Sequence, residues 1–263
     1  MTNERQDGWL PVDCHAHTTF SDGELGVAEL LERARERGVR ASVSDHISSY
    51  MDSAVTTVNE VRAYLDALDE YDVLRGGEFC WHDSLWRELD DDVARRFTHR
   101  LGSLHAIWLP HGELVHAFSR RFPNVTPDEY MEAHVANLEQ FAREMPADIL
   151  AHPTLLPLAL RRHPLEDLWT EEREGRAVTA LAAAGIAFEI SNRYRPHERF
   201  VRRAREAGVR LSLGSDGHTA EQVADIAYPL SLARALGVPD EELYDPLRHG
   251  SRTGFFKPLR RVS

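Results

Sequence analysis

The chain has 263 residues, of which 42% are hydrophobic and 28% charged, a balance typical of one large folded domain with a substantial core. Its formal net charge of -12 argues against a long nucleic acid as the main partner, because polymer binding needs a basic surface that releases counterions. The two cysteines, Cys14 and Cys80, are too few for a disulfide framework and lack the CxxC spacing of a thiolate metal site.

No segment indicates export or membrane insertion. Residues 1–8 are polar and acidic, and no apolar run approaches the roughly 20 residues needed to span a bilayer. We therefore expect a cytoplasmic protein without a membrane partner. Because no Pro/Gly/Ser-rich linker divides the sequence, residues 1–263 are expected to form a single domain with its core at about residues 9–250. The sequence carries no signal of oligomeric state.

Short apolar segments alternate with longer stretches of helical periodicity, which is typical of an α/β fold with parallel strands. One predicted helix, 28–37, ends before Gly38. Another, 126–145, begins with Thr126 and Glu129 in capping-box spacing and with Pro127 at the first helical position. The predicted strands are 10–17, 40–46, 72–81, 100–108, 147–153, 187–191 and 210–218.

All but the sixth of these strands end in, or contain, a candidate metal ligand. The carboxyl ends of parallel barrel strands open on one face, so residues far apart in sequence converge there. Because alternate strand residues point the same way, His15 and His17 can chelate one ion. The candidates are His15, His17, Asp22, His46, Glu78, His105, His152, Asp216 and His218. The other histidines lie mostly in helical or loop contexts and are interpreted as solvated or capping residues.

Imidazole and carboxylate ligands without thiolates suit zinc, manganese or iron, and the sequence leaves the choice open. Two ions held close together lower the pKa of a bridging water and generate hydroxide near neutral pH. The expected nucleophile is therefore a metal-bound hydroxide, and no protein nucleophile is required. Asp13 and Asp45, each beside a candidate ligand, either orient imidazoles or are ordinary strand-end aspartates.

Six motifs occur in a fixed order: DCHAHTTFSDG (13–23), SDH (44–46), GGE (76–78), GSLH (102–105), AHP (151–153) and GSDGH (214–218). Together they resemble the PHP (polymerase and histidinol phosphatase) superfamily and span most of the chain. The resemblance implies a distorted (β/α)7 TIM-like barrel and two to three metal ions. It assigns His15, His17, Glu78 and Asp216 to the first ion, Glu78, His105 and His152 to the second, and Asp22, His46 and His218 to the third.

The third set departs from the commonest family pattern. Relatives of the histidinol phosphatase branch often place a histidine where this chain has Gly23, so Asp22 is taken as the ligand instead. Ser44 also stands where threonine is frequent.

Phosphate binding calls for fixed donors, and the planar guanidinium of arginine matches phosphate oxygens. Arg195 is the first choice, because it lies in EISNRYRP (189–196), and relatives carry a similar E-x-N segment followed by an arginine. Arg161 and Arg193 are further candidates. In so arginine-rich a chain, each could instead be an ordinary solvated side chain.

The leading hypothesis is a phosphatase acting on a small phosphomonoester, with L-histidinol phosphate of histidine biosynthesis as the best guess. Chain length, the EFCW segment (78–81) and the long insert after GSLH resemble stand-alone histidinol phosphatases. A phosphatase or exonuclease acting on nucleotides or oligonucleotides is the alternative. An amidohydrolase barrel is disfavoured because it commonly needs a bridging lysine, and Lys257 follows the last predicted strand. A non-catalytic metal-binding regulatory domain is disfavoured by the full ligand set.

Overall fold

Short parallel strands alternate with helices in the computed structural model, which describes residues 10–252. The strands are β1 Val12–Asp13, β2 Arg40–Val43, β3 His46–Ile47, β4 Leu74–Arg75, β5 Glu78–Cys80, β6 Leu101–Ser103, β7 Ala106–Trp108, β8 Leu114–His116, β9 Ile149–Leu150, β10 Ala187–Ser191 and β11 Leu211–Gly214. The helices are α1 Val27–Glu36, α2 Val58–Leu68, α3 Leu85–Glu88, α4 Asp91–Ala94, α5 Pro127–Glu144, α6 Leu165–Leu168, α7 Glu171–Ala184, α8 Glu198–Glu206, α9 Ala227–Ala235 and α10 Pro246–His249. Lys257 and the polar residues 1–8 lie outside the described residues.

The two predicted helices are confirmed, because their end signals form as expected. At the start of α5 the Thr126 hydroxyl accepts a hydrogen bond from the Glu129 backbone N–H (3.2 Å), and the Glu129 carboxylate accepts one from the Thr126 N–H (2.7 Å). This capping box pairs two backbone N–H groups that have no acceptor within the helix. After α1, Gly38 adopts a left-handed φ of 65°, which glycine tolerates without strain.

The parallel strands form two sheets. One has the order β1-β2-β4 and the other β11-β10-β9-β6-β5-β3, while β7 and β8 form a separate antiparallel hairpin. Each predicted strand segment contains at least one observed strand, although the observed strands are shorter. The hairpin strand β8 is absent from the sequence prediction.

A closed barrel is not confirmed, since the sheets do not join into one. The reason is visible at residues 44–45 and 76–77, where the chain leaves the smaller sheet and enters the larger one. Backbone hydrogen bonds still connect neighbouring segments, such as Cys14 N–H to Leu213 O (2.9 Å) and Glu78 N–H to Asp45 O (3.0 Å). The carboxyl ends of the strands therefore lie on one side of the molecule.

An apolar layer fills the opposite side. It includes the first residue of each of five strands, all nearly fully buried: Val12, Leu74, Leu101, Ile149 and Ala187. A larger core lies between the sheets and the inward faces of the helices. Within residues 10–252, no helix combines the length and apolarity needed to cross a membrane.

Candidate metal centre

The structure brings all nine candidate ligands together at the carboxyl ends of the strands. They form four overlapping groups in which the ligand atoms lie within 4.8 Å of one another. The groups are His15, His17 and Asp216; His15, Glu78 and His152; His46, Glu78 and His105; and His17, Asp22, His46 and His218. Among the described residues, no other histidine joins these groups. Two of those others, His99 and His134, are buried, so the prediction that they are solvated or capping is wrong.

Glu78 lies at the centre of the cluster and is fully buried. Its Oε1 is 2.8 Å from His152 Nε2 and 3.2 Å from His105 Nε2. Its Oε2 is 2.8 Å from His46 Nδ1 and 3.4 Å from His15 Nε2. Burial alone would raise the pKa of Glu78, but the surrounding imidazoles, His105 foremost, hold that pKa well below its usual range. The carboxylate is therefore ionised and shared between the groups.

His17 connects the inner and outer parts of the cluster. Its Nε2 lies 3.1 Å from His15 Nε2 and 3.5 Å from Asp216 Oδ1, and its Nδ1 lies 3.8 Å from Asp22 Oδ1. Burial lowers the pKa of His17 to about 3, so the ring is neutral and can offer a lone pair. Asp216, like His152, has a positive φ that is uncommon for residues other than glycine. Such local strain is typical of functional sites.

Asp22 occupies the outer position that the sequence left in doubt. Its Oδ1 lies 3.3 Å from His218 Nε2 and 3.5 Å from His46 Nε2. The structure also explains Gly23: a β-carbon there would lie 2.5 Å from the carbonyl of His17. A side chain at position 23 has no room in this loop, and the carboxylate of the preceding residue faces the cluster instead.

The donor atoms fit cations. His15 Nδ1 faces the Glu189 carboxylate at 3.1 and 3.2 Å, which directs its Nε2 towards Glu78 Oε2 and the ring of His17. Likewise, His105 Nε2 and His152 Nε2 approach to 3.2 Å. Buried nitrogens and oxygens at these distances are poorly satisfied by one another, and Glu78 Oε2 has no hydrogen-bond partner among the described residues. Ions of the zinc, manganese or iron type would satisfy them.

Glu189 is a site residue that the sequence analysis missed. It is fully buried in β10, accepts the His15 Nδ1 hydrogen bond at 3.1 and 3.2 Å, and accepts the His152 backbone N–H at 2.6 Å. A β-carbon at Gly214 would lie 2.0 Å from Glu189 Oε1, so glycine is needed beside it. The available signal was a lone acid inside the apolar segment AFEIS, in the one strand without a candidate ligand.

Asp13 and Asp45 accept hydrogen bonds from backbone N–H groups and hydroxyls, so of the two alternatives that the sequence leaves open, the orientation of imidazoles is not the one observed. Asp13 accepts hydrogen bonds from the backbone N–H (2.9 Å) and hydroxyl (2.6 Å) of Ser215. Burial raises its pKa to about 6. Asp45 accepts from the Thr18 backbone N–H (2.8 Å) and the Ser21 hydroxyl (2.6 Å). The two aspartates therefore hold the loops that carry Asp216 and Asp22.

A cavity of about 210 Å³ opens above the cluster. Besides six of the candidate ligands, its lining contains Met51, Phe118, Arg193 and Tyr194. An Arg193 guanidinium nitrogen lies 2.7 Å from His218 Nδ1. Arg193 therefore places a positive charge in the cavity lining beside the cluster.

The other two arginines are placed differently. Arg195, the first choice from sequence, donates to the Asn192 carbonyl (3.0 Å) and side-chain oxygen (3.1 Å) and stacks on Tyr228, away from the cavity lining. Arg161 donates to the Leu156 carbonyl (2.9 Å) and lies against aromatic rings at the cavity edge. Of the three predicted arginines, only Arg193 is part of the cavity lining among the described residues.

No protein-family model matches the chain. Similar curated proteins include an uncharacterized protein of Methanocaldococcus jannaschii, 27% identical over 247 residues that cover 91% of this chain and 96% of that protein. The DNA polymerase/3'-5' exonuclease PolX of Bacillus subtilis is 22% identical over 239 residues, which cover 86% of this chain but 37% of the polymerase.

Solved histidinol phosphatases share the fold. The histidinol phosphate phosphatase of Lactococcus lactis, in complex with zinc, L-histidinol and phosphate, matches with a TM-score of 0.67 at 16% identity, covering 89% of this chain and 94% of that one. A candidate histidinol phosphatase of Listeria monocytogenes matches with a TM-score of 0.70 at 15% identity, covering 83% and 99%. These matches confirm the resemblance to the PHP superfamily at the level of the fold.

Proposed function

We propose that this chain, which has the fold of PHP-type histidinol phosphatases, is a metal-dependent phosphoesterase that hydrolyses a small phosphomonoester. The observation that carries the proposal is the convergence of nine imidazole and carboxylate side chains beneath one small cavity. A non-catalytic metal-binding domain would need neither that cavity nor an arginine beside the cluster.

The nine residues would hold two to three ions in the sets that the family resemblance assigns. Zinc is favoured because the Lactococcus lactis structure contains it, while manganese and iron have the same ligand preferences. When bound, such ions supply an activated water and neutralise charge on the phosphoryl oxygens. Glu78 would be shared between two ions, and Glu189, 3.1 Å from His15 Nδ1, would keep His15 Nε2 directed towards them.

Arg193 is the proposed phosphate ligand of the chain itself. Its guanidinium lies at the cavity beside His218 and 3.7 Å from Asp216 Oδ1, and its side chain is 40% exposed. A cation in this position is partly paired without substrate and can turn to a phosphate oxygen when substrate enters.

L-histidinol phosphate remains the best guess for the substrate, since a structural neighbour binds L-histidinol and phosphate. With that substrate the enzyme would serve histidine biosynthesis in the cytoplasm. The alternative is a nucleotide or oligonucleotide phosphatase or exonuclease, which the similarity to PolX favours. A cavity of about 210 Å³ is below the roughly 300–1,000 Å³ of drug-sized ligand pockets, which supports a small monoester.

The test combines elemental analysis of the purified protein with initial rates on L-histidinol phosphate, an aryl phosphate and an aryl phosphodiester. We expect bound zinc, manganese or iron, and faster turnover of the monoesters than of the diester. A metal-free protein that stays inactive after metal addition would refute the phosphoesterase. Preference for the diester would instead support the exonuclease alternative.

A further inference from the structure

A thiol and a hydroxyl face the ring nitrogen of His105 that points away from Glu78. His105 Nε2 lies 3.2 Å from Glu78 Oε1. Its Nδ1 lies 3.2 Å from Cys80 Sγ and 3.3 Å from Ser103 Oγ. Both of these partners are fully buried. We call Cys80 and Ser103 the thiol–hydroxyl pair.

The strands themselves bring the pair to His105. Cys80 of β5 and Ser103 of β6 are register partners in the parallel sheet. Because alternate residues of a strand point to the same face, Cys80 shares the face of Glu78, two residues before it. Ser103 likewise lies two residues before His105. The segments EFC (78–80) and SLH (103–105) therefore each supply one candidate ligand and one hydrogen-bonding side chain.

Either member of the pair can accept a hydrogen bond from His105. A neutral imidazole that offers its Nε2 lone pair to a cation carries its proton on Nδ1 and needs an acceptor there. The Ser103 hydroxyl donates to the Phe79 carbonyl (3.2 Å), which leaves its oxygen lone pairs for the His105 N–H. The Cys80 sulfur is a second, weaker acceptor. Each side chain can thus hold the ring with its Nε2 towards Glu78.

His15 differs from His105 in the partner of its second ring nitrogen. Its Nδ1 faces both oxygens of one carboxylate, that of Glu189, at 3.1 and 3.2 Å. A charged acceptor forms a stronger hydrogen bond than a neutral one, and here a single residue supplies both oxygens. His105 has two neutral acceptors on two strands instead. The loss of one acceptor therefore leaves the other in place at His105.

We propose that Cys80 and Ser103 act together as positioning residues that keep His105 Nε2 directed towards a bound cation. This inference rests on the proposed function and extends it, because it assigns a role in metal binding to two side chains that are not ligands. The pair touches no reacting atom and acts through His105 alone. Its two members are redundant, since either one satisfies the same N–H group.

The test measures the zinc affinity of the full chain by competition with a chelator, and zinc content is followed by elemental analysis. Cys80→Ala and Ser103→Ala should each raise the Kd of the bound zinc by no more than about twofold, because one acceptor remains. The double variant Cys80→Ala/Ser103→Ala should raise the Kd of one ion about tenfold, because His105 then lacks an acceptor for its Nδ1 proton.

The matched control is Cys14→Ala/Ser212→Ala, which also removes a buried thiol and a buried hydroxyl. Cys14 belongs to the apolar layer, and Ser212 Oγ has no hydrogen-bond partner in residues 10–252. Both double variants should lose free energy of unfolding in urea, but only the first should lose zinc affinity. The rescue variant Cys80→Ser/Ser103→Ala should stay within about twofold of the unmodified Kd, because serine can accept the same hydrogen bond.

A double variant that binds zinc as tightly as the unmodified protein would overturn the proposal, as would an equal loss of affinity in the control. Full loss in one single variant would show that this residue acts alone. If Cys80→Ala/Ser103→Ala fails to fold, Cys80→Val/Ser103→Ala replaces it and keeps more of the buried volume.

The outcome for the pair can be separated from that for the proposed function. If the double variant bound zinc more weakly while the unmodified protein hydrolysed no phosphoester, the pair would be supported and the phosphoesterase refuted. Unchanged zinc binding in the double variant of an active phosphoesterase would refute the pair alone. An unmodified chain that binds no zinc would also overturn the pair.

Discussion

The two ends of the parallel strands have opposite chemistry. At their amino ends, Val12, Leu101 and Ile149 belong to a dry apolar layer, whereas their carboxyl ends lead into the buried imidazoles and carboxylates around Glu78. The same short strands therefore supply stability at one end and a binding site at the other. A substitution at one end should leave the property of the other end nearly unchanged.

Glu78→Gln should give the largest effect. The amide cannot serve as an anionic ligand, so we expect loss of bound metal and a fall in phosphatase rate of more than about 1000-fold. Far-UV circular dichroism should show the native fold. Glu206→Gln, an exposed helix residue, is the control. Full activity in Glu78→Gln would contradict its central role.

Leu101→Ala tests the apolar end. Leu101 is fully buried, so the cavity should lower the free energy of unfolding by about 2–5 kcal/mol. Urea denaturation measures this value. Metal affinity, determined by competition with a chelator, should stay within about twofold if the two ends are independent. A parallel loss of metal affinity would show that the apolar layer also positions the ligands.

His134 offers a comparison between a solitary buried histidine and those of the metal centre. It lies in α5, its Nδ1 has no hydrogen-bond partner in residues 10–252, and burial lowers its pKa from 6.5 to about 4. Between pH 6.5 and about pH 4, His134 is therefore protonated in the unfolded chain and neutral in the folded chain. Stability should fall as the pH drops from about 6.5 to about 4, by up to about 3 kcal/mol.

The measurement is the difference between the unmodified protein and His134→Met in urea denaturation at pH 7 and pH 4. The methionine variant should lose less stability on acidification. Equal pH dependence in the two proteins would show that His134 takes up no proton in this window.

Glu189→Gln should give the smallest of these effects. An amide offers one acceptor oxygen where the carboxylate serves both His15 Nδ1 and the His152 N–H. We expect metal affinity to fall about 10- to 100-fold, with activity largely rescued at high metal concentration. If Glu189 served only the folding of the chain, the variant would instead have a lower free energy of unfolding and an unchanged metal Kd in the folded state.

The motifs predicted much of the site because each candidate ligand sits in a short local pattern at a strand end. Helix α5 was predictable for the same reason, since Thr126 and Glu129 form a local cap. The role of Glu189 was not predictable, because its hydrogen-bond partner His15 is 174 residues away in the sequence. The local sequence does not show which of Arg193 and Arg195 faces the cavity. In the fold, Arg195 contacts Asn192 and Tyr228 and therefore turns away from the cavity.

The sheet switching at residues 44–45 and 76–77 was also beyond the sequence prediction. Each of these two segments, 40–46 and 72–81, was predicted as one uninterrupted strand, and the interruption depends on how neighbouring segments pack. Gly76 illustrates this, because a β-carbon there would lie 2.4 Å from Ser44 Oγ. That close approach is a property of the assembled fold.

The tight loop at Gly23 has a consequence for how the cations would come and go. Asp22 is 37% exposed, whereas His15, His17 and Glu78 are fully buried. An ion on the outer ligands would therefore exchange with solvent far faster than its inner neighbours. A brief treatment of the metal-loaded protein with chelator should remove the outer ion first, and added metal should restore it.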